Sequence, residues 1–138
     1  MKFSKRTQYG LRAMAYLAEV FGEKKKVCSL REISKQEGIS FDYLEKVISR
    51  LEKKGLVKAK RGARGGYFLA RSPQKISLKE IIKTLEETTA VVECVAQERG
   101  RRYKCPRRKI CKTFNAWGRI QEALDSVLNS ITLWDLIK

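Results

Sequence analysis

The first apolar stripe along the chain falls at Tyr9, Ala13, Leu17 and Val20 or Phe21, and this spacing predicts a helix from a Ser4 cap to about Phe21. Gly22 and the polar run Glu23 to Lys26 then read as a loop. Ser29-Leu30-Arg31-Glu32 has the form of a capping box, in which Ser29 accepts from the amide three residues on and Glu32 reaches back. A short helix to about Glu37 follows, closed by Gly38, since glycine takes the left-handed backbone of a helix end at little cost. Ile39 packs, and Ser40 caps a second amphipathic helix over about Phe41 to Lys54, closed by Gly55. Leu44, Val47, Ile48 and Leu51 form its buried stripe. Two helices joined by a tight glycine turn, the second of them basic, have the layout of a helix-turn-helix.

Two strands follow, Leu56 to Lys60 and Tyr67 to Ala70, joined by the glycine-rich basic tip Arg61-Gly62-Ala63-Arg64-Gly65-Gly66. A glycine-rich turn alone means little more than a hairpin; directly after a helix-turn-helix it reads as a wing. Ser77-Leu78-Lys79-Glu80 is a second capping box, opening a helix with Leu78, Ile81, Ile82 and Leu85 on one face. A cysteine-bearing segment from Val91 to Ile110 shows little periodicity. Beyond it, Trp117, Ile120, Leu124, Val127 and Ile131 recur at coiled-coil spacing in a long helix over about Lys112 to Asn129, its apolar face widened by Phe114 and Leu128. About eighteen residues make a rod of roughly 27 Å. A winged-helix unit of about 75 residues already has its own core, so this seam predicts a partner chain and a homodimer. Thr132 to Ile137 reads as a short capped turn that adds to the interface. The fold expected is mainly α with a small β-hairpin: a winged helix-turn-helix DNA-binding domain over 1–75, then a cysteine-bearing loop and long C-terminal dimerisation helix over 76–138.

Charge sharpens this picture. The 138 residues carry 31 Lys+Arg against 15 Asp+Glu, a formal net charge of +16, and an excess of that size in a small globular chain is expected to meet a polyanion. The second helix of the motif would enter the major groove. Its outward residues near the start, Ser40, Asp42, Tyr43, Glu45 and Lys46, are the candidates for base reading: Glu45 can accept from cytosine and Lys46 can donate to guanine. Arg50 and Lys53 lie further along, toward phosphate. Arg61 and Arg64 at the wing tip suit a minor groove or phosphate. Ser4, Lys5 and Arg6 are placed to set the first helix against phosphate. A dimer would present two such helices to a pseudo-palindromic duplex.

The N-terminus has no apolar signal core and no run is apolar enough for a membrane span, so a cytoplasmic protein is expected. In that compartment the four cysteines point to metal binding or redox chemistry rather than a disulfide framework. Histidine is absent, which removes histidine-dependent triads and general bases as well as Cys2His2 zinc fingers. No nucleotide-binding loop or paired catalytic carboxylates appear, so an enzyme is not expected.

Several stretches carry a resemblance: Tyr9 to Met14, Ile39 to Glu45, Leu51 to Val57, Arg61 to Tyr67, and the ending Ile131-Thr132-Leu133. On these the chain resembles the Rrf2 family of bacterial transcription regulators over nearly its whole length. The resemblance implies a homodimer with a winged helix-turn-helix at each end of a crossed pair of long helices, acting mostly as a repressor. For many members it also implies a [2Fe-2S] cluster whose presence or redox state tunes DNA binding, in regulators of iron–sulfur assembly genes and sensors of nitric oxide or redox stress. Cys94, Cys105 and Cys111 stand where that family places its ligands, and thiolates suit Fe–S iron. Eight basic residues from Arg99 to Lys112 would lower thiol pKa values and offset cluster charge. Two features depart from the pattern. The gap between Cys94 and Cys105 is long, and Phe114 stands where some members place a histidine. The fourth ligand is therefore unassigned among Asn115, Glu93 and Gln8 of a partner subunit. A thiol switch of Cys94 with Cys105 or Cys111, or zinc, are the alternatives at these cysteines; Cys28 reads as a small core residue. From another class, an RNA-binding winged helix would share the charge but need neither seam nor cysteines.

Overall fold

A computed structural model of the chain describes residues 2–22, 27–98, 101–102 and 104–138. The polar loop expected at Glu23 to Lys26 lies outside the described residues. Helix α1 (Lys5–Glu19) starts where Ser4 accepts from the Thr7 amide, and it buries Gly10, Ala13, Met14, Leu17 and Ala18. Helix α2 (Leu30–Glu37) is capped by Ser29 and closed by Gly38 at φ 65°, ψ 36°. Only half of the capping box expected there forms. Glu32 does not return to Ser29; its carboxylate accepts from the Tyr16 hydroxyl of α1 at 2.8 Å. Helix α3 (Phe41–Lys53) is capped by Ser40 and buries Leu44, Val47, Ile48 and Leu51, the stripe its periodicity predicts.

Strands β1 (Val57–Lys60) and β2 (Gly66–Leu69) pair antiparallel with Val57 opposite Leu69 and Lys60 opposite Gly66. A third stretch joins them: Cys28 and Tyr67 exchange backbone hydrogen bonds of 2.9 and 2.8 Å. The close approach is what fixes glycine at 66, because a Cβ there would meet the Cys28 carbonyl oxygen at 2.3 Å. Cys28 itself is buried, as its reading as a core residue requires.

After a 3-10 turn at Pro73–Lys75, helix α4 (Leu78–Leu85) opens on the Ser77–Glu80 capping box, with both of its hydrogen bonds formed. Burial would raise the Glu80 pKa, but the Arg71 guanidinium at 2.8 Å and the Ser77 amide outweigh it and lower it. Short strands β3 (Gln97–Glu98) and β4 (Arg101–Arg102) pair within the cysteine-bearing segment. Helix α5 (Phe114–Ser130) then spans about 26 Å, two residues later at its start than the periodicity suggests.

One expectation about the C-terminus is corrected. Leu128 does not widen the outer seam; with Gln121 it is buried on the inner face of α5, which packs on α4. Helix α6 (Leu133–Ile137) is the capped turn expected there, with Trp134 and Leu136 left exposed. It packs on α1, and Leu133 is fully buried in the main core with Ile33, Leu44, Ile48 and Leu85. Backbone bonds from Leu78 to Ile131 and from Leu133 to Ile76 lace this ending onto the start of α4. The main core therefore runs across position 75, drawing on α1 to α3, the wing, α4 and α6.

Candidate nucleic-acid interface and cysteine segment

Burying one face of α3 forces its other face outward. Asp42, Glu45, Lys46, Ser49, Arg50 and Lys53 are exposed, and so are Ser40 at the cap and Arg61 and Arg64 at the wing tip. The tip holds its shape through a Gly65 amide donating to the Gly62 carbonyl at 3.0 Å, with Gly62 at φ 115°. Tyr43 is only half exposed. Its ring meets Tyr9 edge-on at 5.4 Å, and the Arg12 guanidinium lies 5.6 Å from the Tyr9 centroid. Arg12 also pairs with the Glu37 carboxylate at 3.4 Å and donates to the Glu37 carbonyl. This brace from α1 to α2 and α3 sets the pose of the second helix. Its pairings span up to 34 positions of sequence (Tyr9 to Tyr43), and no local pattern announces them.

The N-terminal trio divides. Lys5 is exposed. The Ser4 backbone amide donates to the Glu86 carboxylate at 2.6 Å, and the Arg6 Nε donates to the Leu85 carbonyl at 2.7 Å. Both thereby tie α1 to the end of α4. Burial pushes Glu86 up, but the Ser4 amide, the Thr7 and Ser4 hydroxyls and Arg6 together lower its pKa.

Cys94 sits in a 3-10 turn at Glu93–Val95, and Cys105 and Cys111 are likewise partly exposed, with no disulfide among the four cysteines. Cys111 Sγ lies 3.3 Å from the Thr113 hydroxyl just before α5. That hydroxyl and the Thr113 amide, helped by the Phe114 amide and the Arg107 charge, lower the thiol's pKa against the opposing effect of burial. Arg108 lies 4.7 Å from the Phe114 ring centroid, so the phenylalanine in the expected histidine position holds a guanidinium rather than offering a ligand. The donor chemistry suits a thiolate-held cluster, but the placement does not. Among the described residues, no three Cys, Asp or Glu side chains come close enough together to hold a metal ion. Within its own chain, the Gln8 side-chain amide donates to the Phe3 carbonyl at 3.1 Å.

A buried-backed α3 with a polar outer face, a cationic wing beside it and a net charge of +16 define a winged helix-turn-helix DNA-binding protein. Among the described residues, no helix is long and apolar enough to cross a membrane. The sequence model of the Rrf2 family, described as an iron-dependent transcriptional regulator, matches residues 3–138. The chain is 37% identical to Protein rrf2 of Nitratidesulfovibrio vulgaris, covering all of this chain and 88% of that protein. It is similar to the regulator CymR of Bacillus subtilis, whose solved structure is titled the global cysteine regulator, at 38% identity and a TM-score of 0.77 over 99% of this chain and 95% of that one. A solved structure of T. potens IscR matches at 37% identity and a TM-score of 0.73, over 99% of this chain and 85% of that one. The chain belongs to the Rrf2 family of DNA-binding transcription regulators, and it is not an enzyme.

Proposed function

We propose that the protein is a homodimeric, sequence-specific DNA-binding repressor whose affinity is set by its C-terminal cysteines. The observation that carries the reading is the outer face of α3, polar and exposed from Ser40 to Lys53 beside an exposed cationic wing tip. Ser40, Asp42, Glu45 and Lys46 read base edges in the major groove, with Tyr43 positioned by Tyr9 at its border. Arg50, Arg61 and Arg64 hold the flanking phosphates or minor groove. Lys5 contacts phosphate beyond α1, while Ser4 and Arg6 hold that helix to α4. Dimerisation supplies the second half-site through the exposed α5 seam, where Trp117, Ile120 and Val127 remain 37%, 48% and 55% accessible in the single chain. Selection from a randomised duplex pool tests this: the enriched site is two-fold symmetric, and Glu45→Ala and Lys46→Ala each change the preferred base at one position per half-site. Equal binding to all duplexes, or preference for RNA, would overturn it.

The family resemblance and the three thiols support a [2Fe-2S] cluster as the input. Binding it would require Cys94, Cys105 and Cys111 to converge from their present places. A thiol switch is the second reading, favoured by Cys111, which is partly exposed with its sulfur against Thr113. Protein purified without oxygen distinguishes the two. About two iron and two sulfide per chain with visible absorption bands support the cluster. Colourless protein that resists reconstitution, yet changes DNA affinity on oxidation, supports the switch.

A further inference from the structure

Helix α2 carries four charged residues, Arg31, Glu32, Lys35 and Glu37, a balanced set by sequence. The fold removes the balance. Glu32 turns inward to the Tyr16 hydroxyl, and Glu37 is taken by Arg12 of α1. Arg31 and Lys35 are left exposed on the outer face, with no ion pair among the described residues. They stand one helical turn apart, with Cβ atoms about 5–6 Å from each other. With Ser34 and the ring of Phe41 they line an open cleft of about 330 Å³. Phe41 is the first residue of α3 and is 41% exposed, an apolar wall beside the end of the helix that would enter the groove.

We infer that Arg31 and Lys35 form a second phosphate clamp, gripping the DNA backbone alongside each half-site while Phe41 packs against deoxyribose. The inference rests on the DNA-binding reading above and adds contacts outside α3 and the wing. Two exposed cations that form no ion pair among the described residues, around an apolar wall, fit a polyanion whose charges repeat along a sugar chain. In a helix-turn-helix, the first helix of the pair is the one that crosses the backbone. Such contacts fix register but carry no sequence information.

The test uses the full chain with two labelled duplexes, one enriched from the randomised pool and one unrelated of equal length. Affinity is measured over a salt series for wild type, Arg31→Ala/Lys35→Ala and the charge-keeping Arg31→Lys/Lys35→Arg. The alanine variant is expected to weaken on both duplexes by the same factor and to lower the slope of log affinity against log salt by about 3.6, or about 0.9 for each of the four phosphate contacts a dimer loses. Its penalty then shrinks by roughly a hundredfold between about 50 mM and 200 mM salt. The charge-keeping variant stays near wild type, and thermal melts of all three coincide. Wild-type affinity and slope in the alanine variant overturn the clamp alone. Loss confined to the enriched duplex also overturns it, assigning these residues to base reading. Failure of wild type to bind either duplex removes the DNA-binding reading and the clamp together.

Discussion

Glu32 stands three residues after Ser29, where a capping box asks it to turn back, yet the Tyr16 hydroxyl takes it instead. The same contact, with burial as the larger cause, raises the Tyr16 pKa well above its ordinary value. Spacing reveals that a residue can cap; it does not reveal a competitor from another helix. Where no competitor approaches, the local signal holds, as at Ser77 and Glu80. Ile48 is fully buried under α3, and truncating such a residue leaves a cavity. Ile48→Ala is expected to cost about 2–5 kcal/mol in urea unfolding, and a loss below about 0.5 kcal/mol would contradict the packing. At the other end of the chain, Asp135 accepts from Lys138 and from the Thr132 amide, and its pKa falls from 3.8 to about 2. A folded pKa below the unfolded one means the carboxylate stabilises the fold above pH 3.8 and loses that effect as pH falls toward about 2. The melting-temperature difference between Asp135→Asn and wild type is therefore largest near neutrality and closes across that window. A difference independent of pH would count against the Asp135 contacts.

The elements built from local periodicity are legible in the sequence. The α3 stripe, the three serine caps of α2, α3 and α4, and the wing strands sit within a residue or two of their expected places. What escaped the sequence was tertiary pairing. The third wing stretch at Cys28, the Tyr9–Tyr43–Arg12 brace and the docking of Leu133 join residues whose sequence separation hides their contact. The candidate site follows the same division. The exposed face of α3 is readable from its buried stripe, whereas the engagement of Glu32 and Glu37 by Tyr16 and Arg12 of α1 is not. The wing offers a direct check on one such hidden contact. Gly66→Ala would drive a methyl group into the Cys28 carbonyl, and overpacking of this kind costs about 1–3 kcal/mol. Thermal melts should show the loss together with weakened duplex binding. An unchanged melt would mean the Cys28–β2 joint is looser than the structure describes.

At the scale of the molecule, one core joins α1 to α4, the wing and α6, while α5 stands against α4 with its outer seam uncovered. The inner face is committed to the chain itself: Gln121 accepts from the Val91 amide and donates to the Thr89 carbonyl, and Lys79 pairs with Asp125 at 3.9 Å. The outer face is apolar along Trp117, Ile120 and Val127, which is the arrangement a partner chain requires. Ile120→Glu/Val127→Glu is expected to yield a folded monomer in sedimentation equilibrium, with circular dichroism unchanged and duplex affinity reduced at least tenfold; a dimer that survives both charges would place the interface elsewhere. The segment 86–91 runs from the Glu86 tie on α1 to the Gln121 clamp on α5, just ahead of Cys94, so it links the start of the cysteine-bearing segment to both helices. The most direct test of the whole account is a hydroxyl-radical footprint on the enriched duplex, combined with the number of chains bound per duplex. Two protected patches centred about one helical turn (10–10.5 bp) or a multiple of it apart, with an even number of chains distributed equally over them, are the result predicted. A single protected half-site occupied by one chain would contradict it.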